Sequence, residues 1–215
     1  AKKSYQKRVM RFTKAHFIEE PDRVPVNLPT GYFPAYYSGY NLHTVLYDND
    51  KLRSSWLKFF NDFKDDLDSF SGPVVGCGQA MDIMDYKFSK WPGHGLSTDS
   101  TSQQIVEREN MHVNEYDSLI NNPSDWAVRV FVPRAVGALE PLRKLPHFSN
   151  LLGFPNMFTS PASHPDVRAA YQAMIDAGIE MEKRQKIAFE LTKEIRASGY
   201  PAMMSSFGMA PFDVL

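Results

Sequence analysis

Few residues in this chain combine a reactive type with a telling position. His94, in Trp-Pro-Gly-His-Gly (residues 91–95), is the candidate for proton transfer, because an unperturbed imidazole titrates near roughly pH 6.5. Its flanking glycines let backbone approach a ligand closely; the competing reading is a turn histidine facing solvent. Tyr32, Phe33, Tyr36, Tyr37 and Tyr40 follow Pro-Thr-Gly directly after the apolar run of residues 24–28. Such rings offer flat apolar area, and the tyrosines add hydroxyls, so they either face a ligand or anchor their own loop. Asn27 closes that run and, if buried, must find partners, either in substrate or in the fold. Ser205 and Ser206 end a later strand-like run and stand with Asn27, Tyr32, Phe33 and Tyr36 as substrate-binding candidates. His112 with Glu107 and Glu109 could form an acid–base or metal cluster; alternate glutamates on one strand face equally describe a solvated surface. Cys77 is a reactive thiol or, among Val74, Val75 and Gly76, a core one. Met203, Met204 and Met209 are core or a pliable apolar wall.

The whole chain bounds what these groups can serve. With 215 residues and a net charge of −1, it lacks the basic excess of a nucleic-acid surface, so no nucleic-acid partner is expected. Its apolar runs fall short of the roughly 20 residues of a membrane helix, and no membrane partner is expected. The basic opening has no apolar stretch behind it, so it is not expected to be a secretory signal. The single cysteine allows no internal disulfide and makes the cytoplasm the expected location.

The elements that must hold these residues alternate between helix and strand. Residues 4–18 form a basic amphipathic helix on Val9, Phe12 and Phe17, stopped by Pro21. Residues 23–28 form a strand, followed by the aromatic loop. A helix then starts at Asp50 as N-cap and carries Leu52, Trp56, Phe59, Phe60 and Phe63 on one face. Asp-Ser-Phe-Ser-Gly-Pro-Val-Val-Gly-Cys-Gly (residues 68–78) is a second strand ending in small residues. An edge-like run over residues 81–97 closes on a Pro-Gly turn, and residues 102–111 form another strand. Two helical pieces break near Pro123. One long helix, about 50 Å at 1.5 Å per residue, runs from a cap at Ser163 to Ser198 and stops at Gly199. Tyr-Pro-Ala-Met-Met-Ser-Ser-Phe-Gly (residues 200–208) is a further strand. This order favours α/β with a parallel sheet. Strands ending in Asn27, Gly76 and Ser205–Ser206 fit the functional face of a (β/α)8 barrel.

Several stretches together resemble the uroporphyrinogen decarboxylase superfamily. Glu-Glu-Pro-Asp-Arg-Val-Pro-Val-Asn-Leu (19–28) is similar to its opening strand. Lys-Trp-Pro-Gly-His-Gly-Leu (90–96), the segment from Glu109 to Trp126, Val-Pro-Arg-Ala-Val-Gly-Ala-Leu-Glu-Pro-Leu (132–142) and the segment from Ser198 to Leu215 resemble an insertion-rich branch of about twice this length. The resemblance implies a TIM-type (β/α)8 barrel of which residues 1–215 are the N-terminal half. The remaining half is then a partner to be supplied by the same gene product or a second copy, and a homo-oligomer is expected. The apolar ending Phe-Gly-Met-Ala-Pro-Phe-Asp-Val-Leu fits the same expectation.

Two chemistries follow from the resemblance: cofactor-free decarboxylation of a tetrapyrrole, and methyl transfer involving a corrinoid, a thiol and zinc. The departures favour the second. Where decarboxylases carry two arginines that neutralise substrate carboxylates, this chain has Pro-Thr-Gly-Tyr-Phe-Pro-Ala-Tyr-Tyr. Where an aspartate contacts pyrrole N–H groups, it has Ser-Phe-Ser-Gly-Pro-Val-Val-Gly-Cys-Gly. The expectation is therefore a corrinoid-linked methyltransferase for a small methylated donor, with a corrinoid protein as partner. No metal ligand set is evident here: Cys77 lacks the paired histidine, and the resemblance puts zinc and corrinoid ligands in the second half. The alternatives are a tetrapyrrole decarboxylase and a non-catalytic barrel that binds a tetrapyrrole or another small ligand.

Overall fold

The structure is a computed structural model that describes residues 1–149 and 156–202. It is mixed α/β and mostly helical, with a small three-stranded sheet. The chain divides into two compact units: Ala1–Gly76 with the described residues from Glu182 on, and Cys77–Met181.

The first unit opens with α1 (Lys2–His16). Three extended segments follow along the chain, at residues 24–28, 68–71 and 200–202. The Asp68 N–H donates to the Val26 carbonyl (2.9 Å) and the Phe70 N–H to the Pro201 carbonyl (3.0 Å); Phe70 and Ala202 form a parallel bridge. The second segment thus lies between the first and third. The strands expected there are extended backbone joined by single bonds and bridges rather than ladders, and most of the third falls outside the described residues.

The aromatic stretch expected as a loop contains two short helices, α2 (Phe33–Tyr37) and α3 (Leu42–Tyr47). Pro34 is accommodated in the first turn of α2, where its missing N–H costs nothing, and Asn41 caps α3 through the Thr44 amide. Helix α4 (Asn49–Phe63) begins two residues earlier than the sequence predicts. Its cap is Asp48, whose Oδ1 accepts from the Asp50 and Lys51 amides at 3.0 and 2.9 Å. Asp50 sits in the first turn, where its charge suits the helix dipole. The face read from spacing is the buried one: Leu52, Trp56, Phe59 and Phe60 are all nearly inaccessible, each contributing about 1.5–3 kcal/mol of burial.

The second unit contains α5 (Gly78–Met84), β1 (Ser89–Pro92), β2 (Gly95–Leu96) and β3 (Gln104–Ile105), followed by α6 (Tyr116–Asn121), α7 (Pro123–Trp126) and α8 (Val132–Ala135). Two sequence expectations are corrected here. The edge-like run begins as a helix, since Ala80 and Met81 are buried on one side of α5. The strand over residues 102–111 shrinks to the two residues of β3, antiparallel to β1, because Glu107, Arg108 and Glu109 are exposed. Its core gathers Leu139, Leu142, Leu145 and Ala170, and beside it Cys77, Ala80 and Ala177.

Helix α9 (Pro165–Ala197) is the long helix expected. Ser163 is not its cap; it ends a 3-10 turn, Pro161–Ser163. Gly199 closes α9 with φ +101°. Its N–H donates to the Arg196 carbonyl, and the Tyr200 N–H to Ile195, the paired bonds of a Schellman ending.

Candidate functional site

The first unit builds one candidate site from the residues that follow its first two extended segments. Ser69 and Ser71 alternate along the second segment, so they share a face. Both reach Asn27 at the end of the first: Ser69 Oγ donates to Asn27 Oδ1 at 2.8 Å and Ser71 Oγ at 3.0 Å. Phe70, between them, points the other way and packs edge-on against Phe60 (5.8 Å between centroids).

A salt-bridge cluster beneath the site fixes the register of these segments. Asp68 is fully buried and takes charge-assisted bonds from Arg11 and Arg23, while its Oδ2 accepts from the Val26 amide at 3.0 Å. Arg11, itself buried, spans to Asp22 with a two-pronged contact of 2.7 and 2.6 Å. The Arg11 guanidinium, then Lys7, holds the Asp22 carboxyl far below the usual carboxylate range. Asp22 and Arg23, in the Pro-Asp-Arg-Val-Pro stretch, thus serve here to tie α1 and the first two segments together.

On this base lies a cavity of about 170 Å³ lined by Pro29, Thr30, Gly31, Tyr32, Ser71, Gly72 and Val74. Tyr32 is half-buried, and burial, then its neighbour Tyr36, pushes its phenol up. The ring therefore enters as a neutral hydroxyl donor and apolar wall. No lining residue is charged. The backbone enters the site through Gly31 at φ +52°, a conformation glycine adopts without a Cβ penalty.

The other aromatic candidates are placed differently. Phe33 meets Phe59 edge-on at 5.8 Å and stacks on Tyr37 at 5.7 Å; it lines a neighbouring cavity of about 250 Å³ with Leu28 and Phe63. Tyr37 donates to Asp62 at 3.0 Å and lies under Lys58, a structural role. Tyr36 is exposed on α2. Ser205 and Ser206 lie outside the described residues.

His94 belongs to the second unit. Its backbone and that of Trp91 exchange both hydrogen bonds (3.0 and 2.8 Å) across the Pro92–Gly93 turn. The imidazole stacks flat on the buried Trp91 ring, 4.1 Å between centroids and 8° between planes. Its Nδ1 lies 3.2 Å from Asp82 Oδ1, a carboxylate–imidazole pair. His112 makes the same kind of pair, its Nδ1 lying 3.2 Å from Glu109 Oε1.

Nearby candidates resolve into structure. The His112 backbone N–H donates to Glu115 at the start of a helical turn (3.0 Å). Glu115 in turn pairs with Arg134, which with the His112 amide brings its carboxyl down to about 2. Cys77 is buried beside Ala80 and Ala177. Among the described residues, no group of three or more His, Cys, Asp or Glu side chains could hold a metal. Nor is any helix among them long and apolar enough to cross a membrane.

Sequence reasoning passed over Ser69, Ser71, Asp68 and Asp82. Only the i, i+2 spacing of the two serines about Phe70 carried a signal. Comparison of the chain with protein-family models, curated proteins and solved structures finds no match.

Proposed function

We propose that the chain is part of an enzyme of the uroporphyrinogen decarboxylase-like barrel type. In this reading the cavity beside Tyr32 takes the small methylated donor of a corrinoid-linked methyl transfer. The observation that carries the reading is the lining itself: Tyr32, Ser71, two glycines and Pro29, with no cation, at the ends of two adjacent extended segments. Ligands of a (β/α) barrel gather at the ends of its strands. A substrate with several carboxylates would need fixed cationic partners, whereas a neutral ring or methyl group gains from apolar contact.

The reading requires further barrel strands and a corrinoid protein as partner. The cavity, at about 170 Å³, is too small for a corrin ring and holds no thiol or imidazole to bind zinc, so no step through either group is assigned to it. His94, paired with Asp82 in the second unit, stands as a separate candidate for proton transfer and is assigned no step at this cavity.

The test supplies the gene product with cob(I)alamin and 4-methoxyphenol and follows loss of the donor's methyl signal by NMR. Demethylation that falls on Tyr32→Ala supports the reading. Absence of demethylation, together with carbon dioxide release from uroporphyrinogen, overturns it in favour of decarboxylation.

A further inference from the structure

Resting on the reading of this cavity as a ligand site, the geometry points to a more specific ligand class: a neutral molecule that offers an N–H or O–H donor to Ser71 Oγ. An amide oxygen has two lone pairs, and a hydroxyl has one proton. Asn27 Oδ1 accepts from both Ser69 and Ser71, at 2.8 and 3.0 Å, so both lone pairs and both protons are committed. Ser69 is almost wholly buried and takes no part in the lining. Ser71 does line the cavity, and with its proton held by Asn27 it presents only lone pairs there. A ligand that met Ser71 with an acceptor would have to pull that proton away from a half-buried amide oxygen and leave it short of a partner, which is costly. A ligand with a donor completes the chain without breaking anything. An anion is disfavoured twice, by the lone pairs and by the absence of any lining cation.

Asn27 is on this account a positioning residue, and its amide orientation decides the preference. Turned over, its N–H groups would face the serine oxygens and free their protons toward the cavity. The ligand preference would then reverse.

Three single-ring probes test this by NMR titration of the protein: phenol, a donor; anisole, an acceptor only; and benzoate, an anion. The expected result is phenol binding about five- to tenfold more tightly than anisole, the size of one hydrogen bond, with benzoate weakest. Ser71→Ala lowers phenol to the level of anisole and leaves anisole unchanged. Asn27→Leu frees the Ser71 proton and erases the preference while the ring still binds. Ser71→Thr keeps both hydroxyl and preference, which covers the case in which the alanine variant misfolds. Equal binding of phenol and anisole, tighter anisole, or benzoate matching phenol overturns the inference but leaves the cavity a ligand site. Failure of all three probes to saturate overturns the inference and the site together.

Discussion

Asp68 and Val26 are bonded twice. The Asp68 backbone N–H donates to the Val26 carbonyl at 2.9 Å, and the Val26 N–H donates to the Asp68 carboxylate at 3.0 Å. A side chain thereby takes the place of one backbone acceptor between two extended segments, and the arginines gathered on that carboxylate lock the pair. Removing one partner of a buried ion pair strands the other, at about 3–5 kcal/mol. Asp68→Ala should therefore lower stability in urea unfolding by about that amount. Arg23, with 43% of its side chain exposed, should cost less than about 1 kcal/mol when replaced by alanine. Equal losses for the two variants would contradict this ranking.

Acid should weaken the second unit through Glu115. Its folded-state value, about 2, lies below the usual 4.5 because Arg134 and the His112 amide favour the carboxylate. Ionised Glu115 therefore stabilises the fold above about pH 4.5, and that contribution fades as the pH falls toward 2. The urea midpoint of Glu115→Gln should start lower at neutral pH and decline less steeply over this window. Asp22, also depressed by its Arg11 pairing, should act in the same direction in the first unit. A steeper acid slope in Glu115→Gln than in the parent protein would be inconsistent with this assignment.

Two glycines of the α9 region should respond oppositely to alanine. Gly199 has φ +101°, and an added Cβ would sit 2.9 Å from the Ala1 carbonyl oxygen, so Gly199→Ala should cost about 1 kcal/mol or more. Gly178 lies within the helix with nothing within 4 Å of an added Cβ. Gly178→Ala should stabilise by about 0.5–1 kcal/mol. Thermal melting of the two variants checks both signs.

Uroporphyrinogen should be a poor substrate. The neutral lining offers its carboxylates no partner, and each buried Arg–carboxylate pair forgone is worth roughly 2–5 kcal/mol. Carbon dioxide release at a rate typical of a decarboxylase would refute this.

What the sequence made legible was set by periodicity. Leu52, Trp56, Phe59 and Phe60 announce α4 because a buried helix face repeats, and α9 is long enough for its pattern to dominate. The extended segments were found but not their character, since a few apolar residues cannot say whether a ladder or a single bond joins them. The cap shifted from Asp50 to Asp48 because two aspartates on one turn look alike until the amides they serve are known. Asp68 escaped notice for a related reason: one carboxylate before a serine reads as a surface residue, and only the fold brings Arg11 across 57 positions to meet it. Asn27 and Tyr32 were legible as candidates by their place after a strand-like run. Ser71 was not, because its importance comes from the hydrogen bond to Asn27.

The most direct test of the central claim is made on one variant, Tyr32→Ala, by measuring phenol affinity and thermal stability together. A ligand-facing ring predicts binding weakened by roughly 1–3 kcal/mol, the range for removing a good aromatic contact, with the melting temperature nearly unchanged. A large fall in melting temperature with affinity intact would make Tyr32 an anchor of its own loop and contradict the site.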